Sequence, residues 1–188
     1  GTTVKVDALA DRLMYRLQYR NFGDTQALVS NHTVDVTSSN TGIHWFQLSK
    51  TTSADWSMTQ EGVFAPDANS RWMGSLAMDN QGNMALGYSV SGSDKYPTIA
   101  YAGRLAEDAA GEMAQAETTL MAGSGSQTTT YSRWGDYSMM AVDPVDECTF
   151  WYTQEYYAGT ATIAWRTRIG AFKFPTCSQP QSGVLQGV

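Results

Sequence analysis

Two copies of the tripeptide Ser-Arg-Trp contain the side chains best suited to holding a ligand. The first copy stands at residues 70–72 and the second at 132–134, with Asp136 and Tyr137 just beyond it. A guanidinium fork binds a carboxylate through two hydrogen bonds, and an indole face can stack on a planar or sugar ring. The sequence therefore offers one set of candidate ligand-binding residues: Arg71, Trp72, Arg133, Trp134, Asp136 and Tyr137.

The recurrence of the tripeptide also has a structural interpretation. Each arginine could donate hydrogen bonds to backbone carbonyl groups of a neighbouring unit, and each tryptophan could pack between units. A residue that recurs with a repeat usually serves what repeats, which is the fold. The sequence therefore favours a structural role for the Arg-Trp pairs, with ligand binding as the alternative.

The tripeptides belong to a longer internal repeat. Three pairs of segments correspond in one register: residues 77–79 and 141–143, 88–89 and 152–153, and 99–101 and 163–165. A weaker first copy includes the turn with Asn21 and Gly23, which corresponds to the turn with Asn80 and Gly82. Self-similarity at such a period indicates repeated supersecondary units. The predicted units span about residues 11–64, 70–122 and 132–175.

Each unit is predicted to form four short antiparallel strands. The chain is rich in aromatic residues and glycine, with 10 Tyr, 6 Trp, 6 Phe and 17 Gly, and only 16% of its residues are charged. This composition and the frequent turn signals favour an all-β fold. Residues 105–117 have helical composition but are interrupted by Gly111, so they are predicted to form a loop. A short fourth strand of the third unit is predicted at residues 171–174.

Charge and motifs exclude several classes of function. The net charge of −6 argues against nucleic-acid binding, which requires a basic surface. No apolar run has the length of a membrane span. His32 and His44 lack ligand spacing to either cysteine, so no zinc site is expected. No phosphate-binding loop, dinucleotide fingerprint or nucleophile elbow is present.

The two cysteines, Cys148 and Cys177, are predicted to form one disulfide that ties the third unit to the tail. A disulfide would place the protein in an oxidising compartment, so the expected location is secreted or extracellular. Two buried free thiols are the alternative. The chain has neither an initiating methionine nor a signal peptide, and it is therefore expected to be a piece of a longer protein.

Two Asp-containing turns resemble those of sialidase-type, BNR-like β-propellers of large secreted bacterial proteins. Residues 77–83 (Ala-Met-Asp-Asn-Gln-Gly-Asn) and 141–147 (Ala-Val-Asp-Pro-Val-Asp-Glu) each precede an aromatic-bearing strand. They are similar to the Asp-box, Ser-x-Asp-x-Gly-x-Thr-Trp, in which the aspartate caps amides of its own turn. Ala replaces the leading Ser in both turns, and the second turn lacks the Gly. A Ca²⁺ site at Asp143 and Asp146 is an alternative to this turn-forming role, and no other cofactor is expected.

The resemblance implies that residues 1–177 form about three propeller blades, an incomplete ring. Propellers usually close with four to eight blades. Other blades of the same parent protein, or a second copy of the chain, are therefore the expected partners. Residues 178–188 are expected to be a linker and the start of a following module, since residues 182–188 resemble the first strand of carboxypeptidase-regulatory-like domains.

The function expected from this resemblance is a binding or scaffolding module with a glycan or protein ligand. One alternative is a glycosidase-like or sialidase-like enzyme, which requires an accessible cluster of Arg, Tyr and carboxylates from more than one unit. The residues of suitable type are Arg71, Arg133, Asp136, Tyr137 and Glu155. A further alternative is an assembly subunit, which requires apolar interfaces at both ends.

Overall fold

The computed structural model describes residues 2–178, which form three open antiparallel sheets without any α-helix. The first sheet contains β1 (Gln18–Asn21), β2 (Thr25–Asp35), β3 (Thr41–Thr51) and β4 (Ser57–Phe64). The second contains β5 (Ser70–Met78), β6 (Met84–Ser91), β7 (Thr98–Arg104) and β8 (Gln115–Met121). The third contains β9 (Met139–Val142), β10 (Phe150–Tyr157) and β11 (Trp165–Phe172). In each sheet, strands that follow one another in sequence are hydrogen-bonded neighbours. The predicted all-β class is confirmed.

The third sheet departs from the four-stranded prediction. Residues 171 and 172 belong to the end of β11, where Phe172 is paired with Phe150. No fourth strand of this sheet occurs between residues 2 and 178. The predicted strand at 171–174 is therefore wrong. The irregular segment at residues 158–164 places the start of β11 at Trp165, so that this one strand continues to Phe172 and residues 163 and 164 lie outside it.

The second sheet is buried on both faces. One face packs against the first sheet in a core that includes Ala27, Val29, Ile43, Trp45, Leu76, Leu86 and Tyr88. The opposite face packs against the third sheet in a core that includes Ala77, Ala85, Ile99, Met140, Phe150 and Tyr152. Successive side chains of a strand point to opposite faces, so β5 and β6 supply both cores. The three sheets are therefore stacked, with the second in the middle.

The first sheet exposes apolar side chains on its outer face. Leu28 pairs with Leu48, and Leu48 pairs with Met58, so these residues point away from the second sheet. On the same face, Tyr19 and Val63 are each 54% exposed. The same face also carries His32, His44, Glu61 and Lys50, so it is partly apolar, and it has no covering layer among residues 2–178.

The outer face of the third sheet is also partly apolar. Trp151 is 46% exposed and Ile169 is 66% exposed, and neither belongs to the core against the second sheet. Ala141 and Ala171 flank Trp151 in the neighbouring strands. An exposed apolar surface therefore lies at each end of the stack.

Aspartates close the two turns that the sequence singled out. Asp79 Oδ1 accepts hydrogen bonds from the backbone N–H groups of Gln81 and Asn83, each at 2.9 Å. Asp143 Oδ1 accepts one from the N–H of Val145 at 2.8 Å. Gly82 has a φ of +83°, a conformation that glycine adopts without strain. Both aspartates thus cap amides of their own turns, as the Asp-box resemblance implies.

The predicted disulfide between Cys148 and Cys177 is present. It joins the turn before β10 to the segment after β11, and both cysteines are buried. The Asn80 side-chain amide donates to the carbonyl of Ser178 at 3.1 Å, which also attaches this segment to the second sheet. The linker and following module predicted at 178–188 lie, beyond residue 178, outside the described residues.

We expect Gly87→Ala to destabilise the protein by about 1–3 kcal/mol, because overpacking a buried site forces neighbouring groups to move. A Cβ atom at Gly87 would lie 2.4 Å from the ring of Tyr152, and that side chain is fully buried. The matched control is Gly159→Ala, where a Cβ atom would meet nothing within 4 Å. Equal urea midpoints for the two variants would contradict this account of the contact between the sheets.

Candidate functional site

The two repeated tryptophans pack against each other inside the protein. The ring centroids of Trp72 and Trp134 are 5.7 Å apart in an edge-to-face arrangement, and Trp134 stacks on Tyr157. The indole N–H of Trp134 donates to Ser89 Oγ at 2.9 Å. Because Trp72 is 2% and Trp134 1% exposed, both serve the packing of the second sheet against the third.

Arg71 is also buried and internally bonded. Its guanidinium donates to Glu117 Oε2 and Asp67 Oδ1, each at 2.8 Å, and to the carbonyl of Asn69 at 3.1 Å. The hydrogen bond from Arg71 lowers the pKa of Asp67 well below its usual value. Tyr88 donates its hydroxyl proton to the same Glu117 carboxylate. Arg71 is therefore internally bonded in this fold, in line with the structural role that the sequence favours, although its main acceptors are carboxylates rather than backbone carbonyls of a neighbouring unit.

Arg133, the repeat partner of Arg71, is in contrast exposed. Its side chain is 73% exposed and forms an ion pair with Asp136. In the second sheet the acceptor Glu117 comes from the fourth strand, β8, and the third sheet has no fourth strand within residues 2–178. The two residues of the second Arg-Trp pair therefore have different roles, since Trp134 is packed inside the protein and Arg133 faces solvent.

Arg133, Asp136 and Tyr137 line an open cleft of about 480 Å³ on the outer side of the third sheet. Its remaining walls come from strands β10 and β11 and from Gln127. The complete lining is Gln127, Arg133, Gly135, Asp136, Tyr137, Thr153, Gln154, Glu155, Trp165 and Thr167. Of the six candidate ligand-binding residues, three are thus brought together at an accessible surface. Arg71, Trp72 and Trp134 are instead buried, which removes them from reach of a ligand.

The loop that carries these residues is held in place by buried amides. Gln127 donates to the carbonyls of Tyr131 and Arg133 and accepts a hydrogen bond from the hydroxyl of Tyr157. Gly135 approaches β10 so closely that a Cβ atom would lie 2.6 Å from Gln154 Oε1. This close approach lets the N–H of Gly135 donate to Glu155 Oε2 at 3.0 Å.

Glu155 has an altered acidity. Burial raises the pKa of its carboxyl group to about 7, and the nearby negative charge of Asp136 acts in the same direction. The hydrogen bond from Gly135 opposes the shift. A carboxyl group with such a pKa is partly protonated at neutral pH, so it can donate or accept a hydrogen bond toward the cleft.

Trp165 and Gln127 were missed as cleft residues from the sequence. Trp165 is 57% exposed and lies opposite Tyr157 at the start of β11. The pattern Trp-Arg-Thr-Arg that begins there is a signal of solvent exposure that could have identified it. Gln127 lies in a segment of Ser, Gly and Thr that carries no such signal.

A larger cleft of about 880 Å³ lies between the N-terminal segment and the loop after β6. Trp72 and Trp134 border it, but each exposes so little surface that the wall is formed mainly by residues 2–8 and 91–97. Its lining mixes apolar residues, such as Val4, Val6 and Pro97, with polar ones, and its charged side chains are Lys5, Asp94 and Lys95.

Asp143 and Asp146, the alternative Ca²⁺ ligands, are engaged in their own turn. Asp146 accepts hydrogen bonds from the hydroxyl of Thr149 at 2.6 Å and from the N–H groups of Thr149 and Cys148 at 2.8 and 2.9 Å. These bonds, the Thr149 hydroxyl first, lower the pKa of Asp146 to about 2. Within residues 2–178, no group of three or more His, Cys, Asp or Glu side chains is arranged to hold a metal ion. Over the same residues, no helix has the length and apolar character needed to cross a membrane.

No family model, curated protein or solved structure matches this chain. The cleft is therefore judged on its own geometry. Its arginine, tyrosine and carboxyl groups all come from the third unit. Arg12 of the first unit is next to Tyr137 but does not line the cleft. The enzyme alternative required such groups from more than one unit, and the lining of this cleft does not supply them.

We expect Arg71→Met to destabilise the protein by roughly 2–4 kcal/mol, because it leaves Glu117 and Asp67 without their cation. Arg133→Met is the matched control from the other copy of the motif, and it should leave the unfolding free energy nearly unchanged. Chemical unfolding at pH 7 measures both. A larger loss of unfolding free energy for the Arg133 variant than for the Arg71 variant would contradict the structural role assigned to Arg71.

The raised pKa of Glu155 makes stability depend on pH. The folded state holds the proton more tightly than the unfolded state, so the contribution of Glu155 is present below its usual pKa of 4.5 and is lost as the pH rises through about 7. Compared with Glu155→Gln, the wild-type protein should lose stability between pH 4.5 and pH 8. Parallel stability curves for the two proteins would show that the carboxyl group is not perturbed.

Proposed function

We propose that the chain is a scaffolding module of an extracellular protein, formed by three consecutive blades of a β-propeller. Each blade would be one of the three sheets, and further blades would complete the ring. Small antiparallel sheets packed face to face around an axis are the architecture of propellers. The observation that carries this proposal is the asymmetry of the stack, in which the middle sheet is covered on both faces and each outer sheet on only one.

The two outer faces support the proposal through their composition. Leu48, Met58 and Val63 on the first sheet, and Trp151 and Ile169 on the third, are apolar side chains at positions where the second sheet has buried ones. Contiguous exposed apolar surfaces mark interaction sites in soluble proteins. Within this chain, each covered sheet face packs against another antiparallel sheet. A further antiparallel sheet is therefore the partner that we propose for each exposed face.

The internal bonding of the repeat supports the same function. Arg71, Trp72 and Trp134 lie inside the stack, and their contacts join strands within a sheet and sheets to each other. Residues that recur in order to hold repeated sheets together fit a scaffold better than a catalytic centre. The partners we propose are other blades of the parent protein or a second copy of the chain.

The extracellular location is part of this proposal. The Cys148–Cys177 disulfide supports it, since disulfides persist mainly in oxidising compartments. Its position in the sheet with the fewest strands suits a protein that must remain folded outside the cell.

The solution mass tests the proposed assembly. The purified chain, of 20.5 kDa, should associate into dimers or larger closed species in light scattering. Val63→Lys and Ile169→Lys each place a charge on one outer face and should shift the mass toward the monomer. Ser38→Lys adds the same charge in an exposed turn and should not.

A stable wild-type monomer would contradict the shared-ring proposal, and so would equal effects of all three lysine variants. In that case the three sheets would form a self-contained stack. The measurement should be repeated with reductant, because loss of the disulfide could change the third sheet and with it the mass.

A further inference from the structure

We propose that the cleft between the 133–137 loop and strands β10 and β11 binds an organic cation, a primary ammonium or guanidinium group, with Glu155 as its counter-ion. The inference does not use the proposed ring, because all lining residues belong to one chain. The cleft lies toward the end of β10 at Tyr157, on the same outer face as Ile169, which is opposite the lining residue Thr153. A further blade on this face would have to cover Trp151 and Ile169 and leave the Tyr157 end open for both proposals to hold.

Glu155 is a carboxyl group without a cation. Its side chain receives the hydrogen bond from Gly135 N–H, and no ion pair of Glu155 occurs among residues 2–178. Arg166 and Arg168 of β11 lie opposite Tyr156 and Gln154, on the other face of the sheet, and Arg133 is paired with Asp136. By comparison, the carboxylate of Glu117 is neutralised by Arg71. A partly buried carboxyl group that lacks a cation is costly in its charged form, and a bound cation would remove that cost.

Two exposed aromatic rings stand beside Glu155. Glu155 lies opposite Thr167, and Tyr157 lies opposite Trp165, so Trp165 is the diagonal neighbour of Glu155 on the same face of the sheet. Tyr137 enters the cleft from the loop and is 47% exposed. Aromatic faces attract ammonium and guanidinium groups, and this attraction grows when the site is partly desolvated. The combination of one carboxyl group and two rings is selective for a cation that has an apolar stem.

The charged groups around the cleft permit this ligand. Asp136 adds negative charge near Glu155, while Arg133 is paired with Asp136 and Arg12 with Asp11. The two arginine–aspartate pairs are neutral overall, so ionised Glu155 leaves the cleft with one net negative charge. An anionic ligand would face this charge without a free cation to receive it.

Protonation of Glu155 should control the binding. Since its pKa is raised to about 7, mainly by burial, only the ionised fraction offers a counter-ion. Affinity should therefore be about thirty-fold weaker at pH 5.5 than at pH 8.5 if only the ionised form binds. Asp136, Arg133 and the Tyr137 and Tyr157 hydroxyl groups are the other titratable groups that face Glu155.

Two sources could supply the cation, a free amine or a basic side chain of another protein. Nα-acetyl-lysine amide and Nα-acetyl-arginine amide represent the first source, and a pentalysine peptide represents the second. Nα-acetyl-norleucine amide has a similar apolar stem without the charge and is the neutral control. Methyl glucoside tests the competing ligand class, a neutral saccharide.

Two-dimensional NMR titration of the intact chain measures these affinities through the indole N–H of Trp165. We expect the lysine and arginine probes to bind and the norleucine probe to bind at least ten-fold more weakly. Glu155→Gln should weaken binding of the lysine probe at least ten-fold at pH 8.5 and abolish the pH dependence of that affinity. Glu107→Gln, which removes the same charge from an exposed loop, should have no effect.

Three outcomes would overturn the proposal: equal affinity for the lysine and norleucine probes, affinity unchanged between pH 5.5 and 8.5, or binding of methyl glucoside alone. The wild-type comparisons decide the matter even if Glu155→Gln fails to fold. If the cation binds, at least ten-fold tighter binding of pentalysine would indicate a protein side chain as the source. Equal affinity for the amides and the peptide would indicate a free amine.

Discussion

The burial of the second sheet on both of its faces is the constraint on which the rest of the structure depends. Strand β5 has no exposed position from Arg71 to Met78, so every side chain in it must fit a neighbour. Small residues such as Ala77 and Gly87 let the third sheet approach, and larger ones such as Leu76 fill the space toward the first. The outer sheets depend on this layer, because each has only one covered face.

The same constraint explains why one tripeptide serves two purposes. In the middle sheet, Arg71 is enclosed and is neutralised by Glu117 of β8 and by Asp67 of the loop before β5. In the third sheet, the outer side is open, so Arg133 reaches solvent and forms one wall of a cleft. Position in the stack, and not residue type, decides between a structural and an accessible arginine.

Much of the fold could be predicted from the sequence, because strand periodicity and turn residues are local signals. The first two units each form the four predicted strands, and the glycine turns at Gly23 and Gly82 occur where expected. The cleft could be predicted only in part. Burial of Trp72 and exposure of Trp165 depend on which sheet faces solvent, and a single sequence does not contain that information. Likewise the raised pKa of Glu155 arises mainly from burial beside the loop that carries Gly135, twenty residues away along the chain.

The disulfide gives the incomplete third sheet a covalent closure. Cys148 and Cys177 are 29 residues apart, and the loop between them contains all of β10 and β11. Cross-linking a loop of this length removes chain entropy from the unfolded state that corresponds to about 3–4 kcal/mol. The disulfide thus restricts the unfolded state of the segment that forms the sheet with the fewest strands. Redox conditions would therefore act first on the end of the stack that carries the cleft.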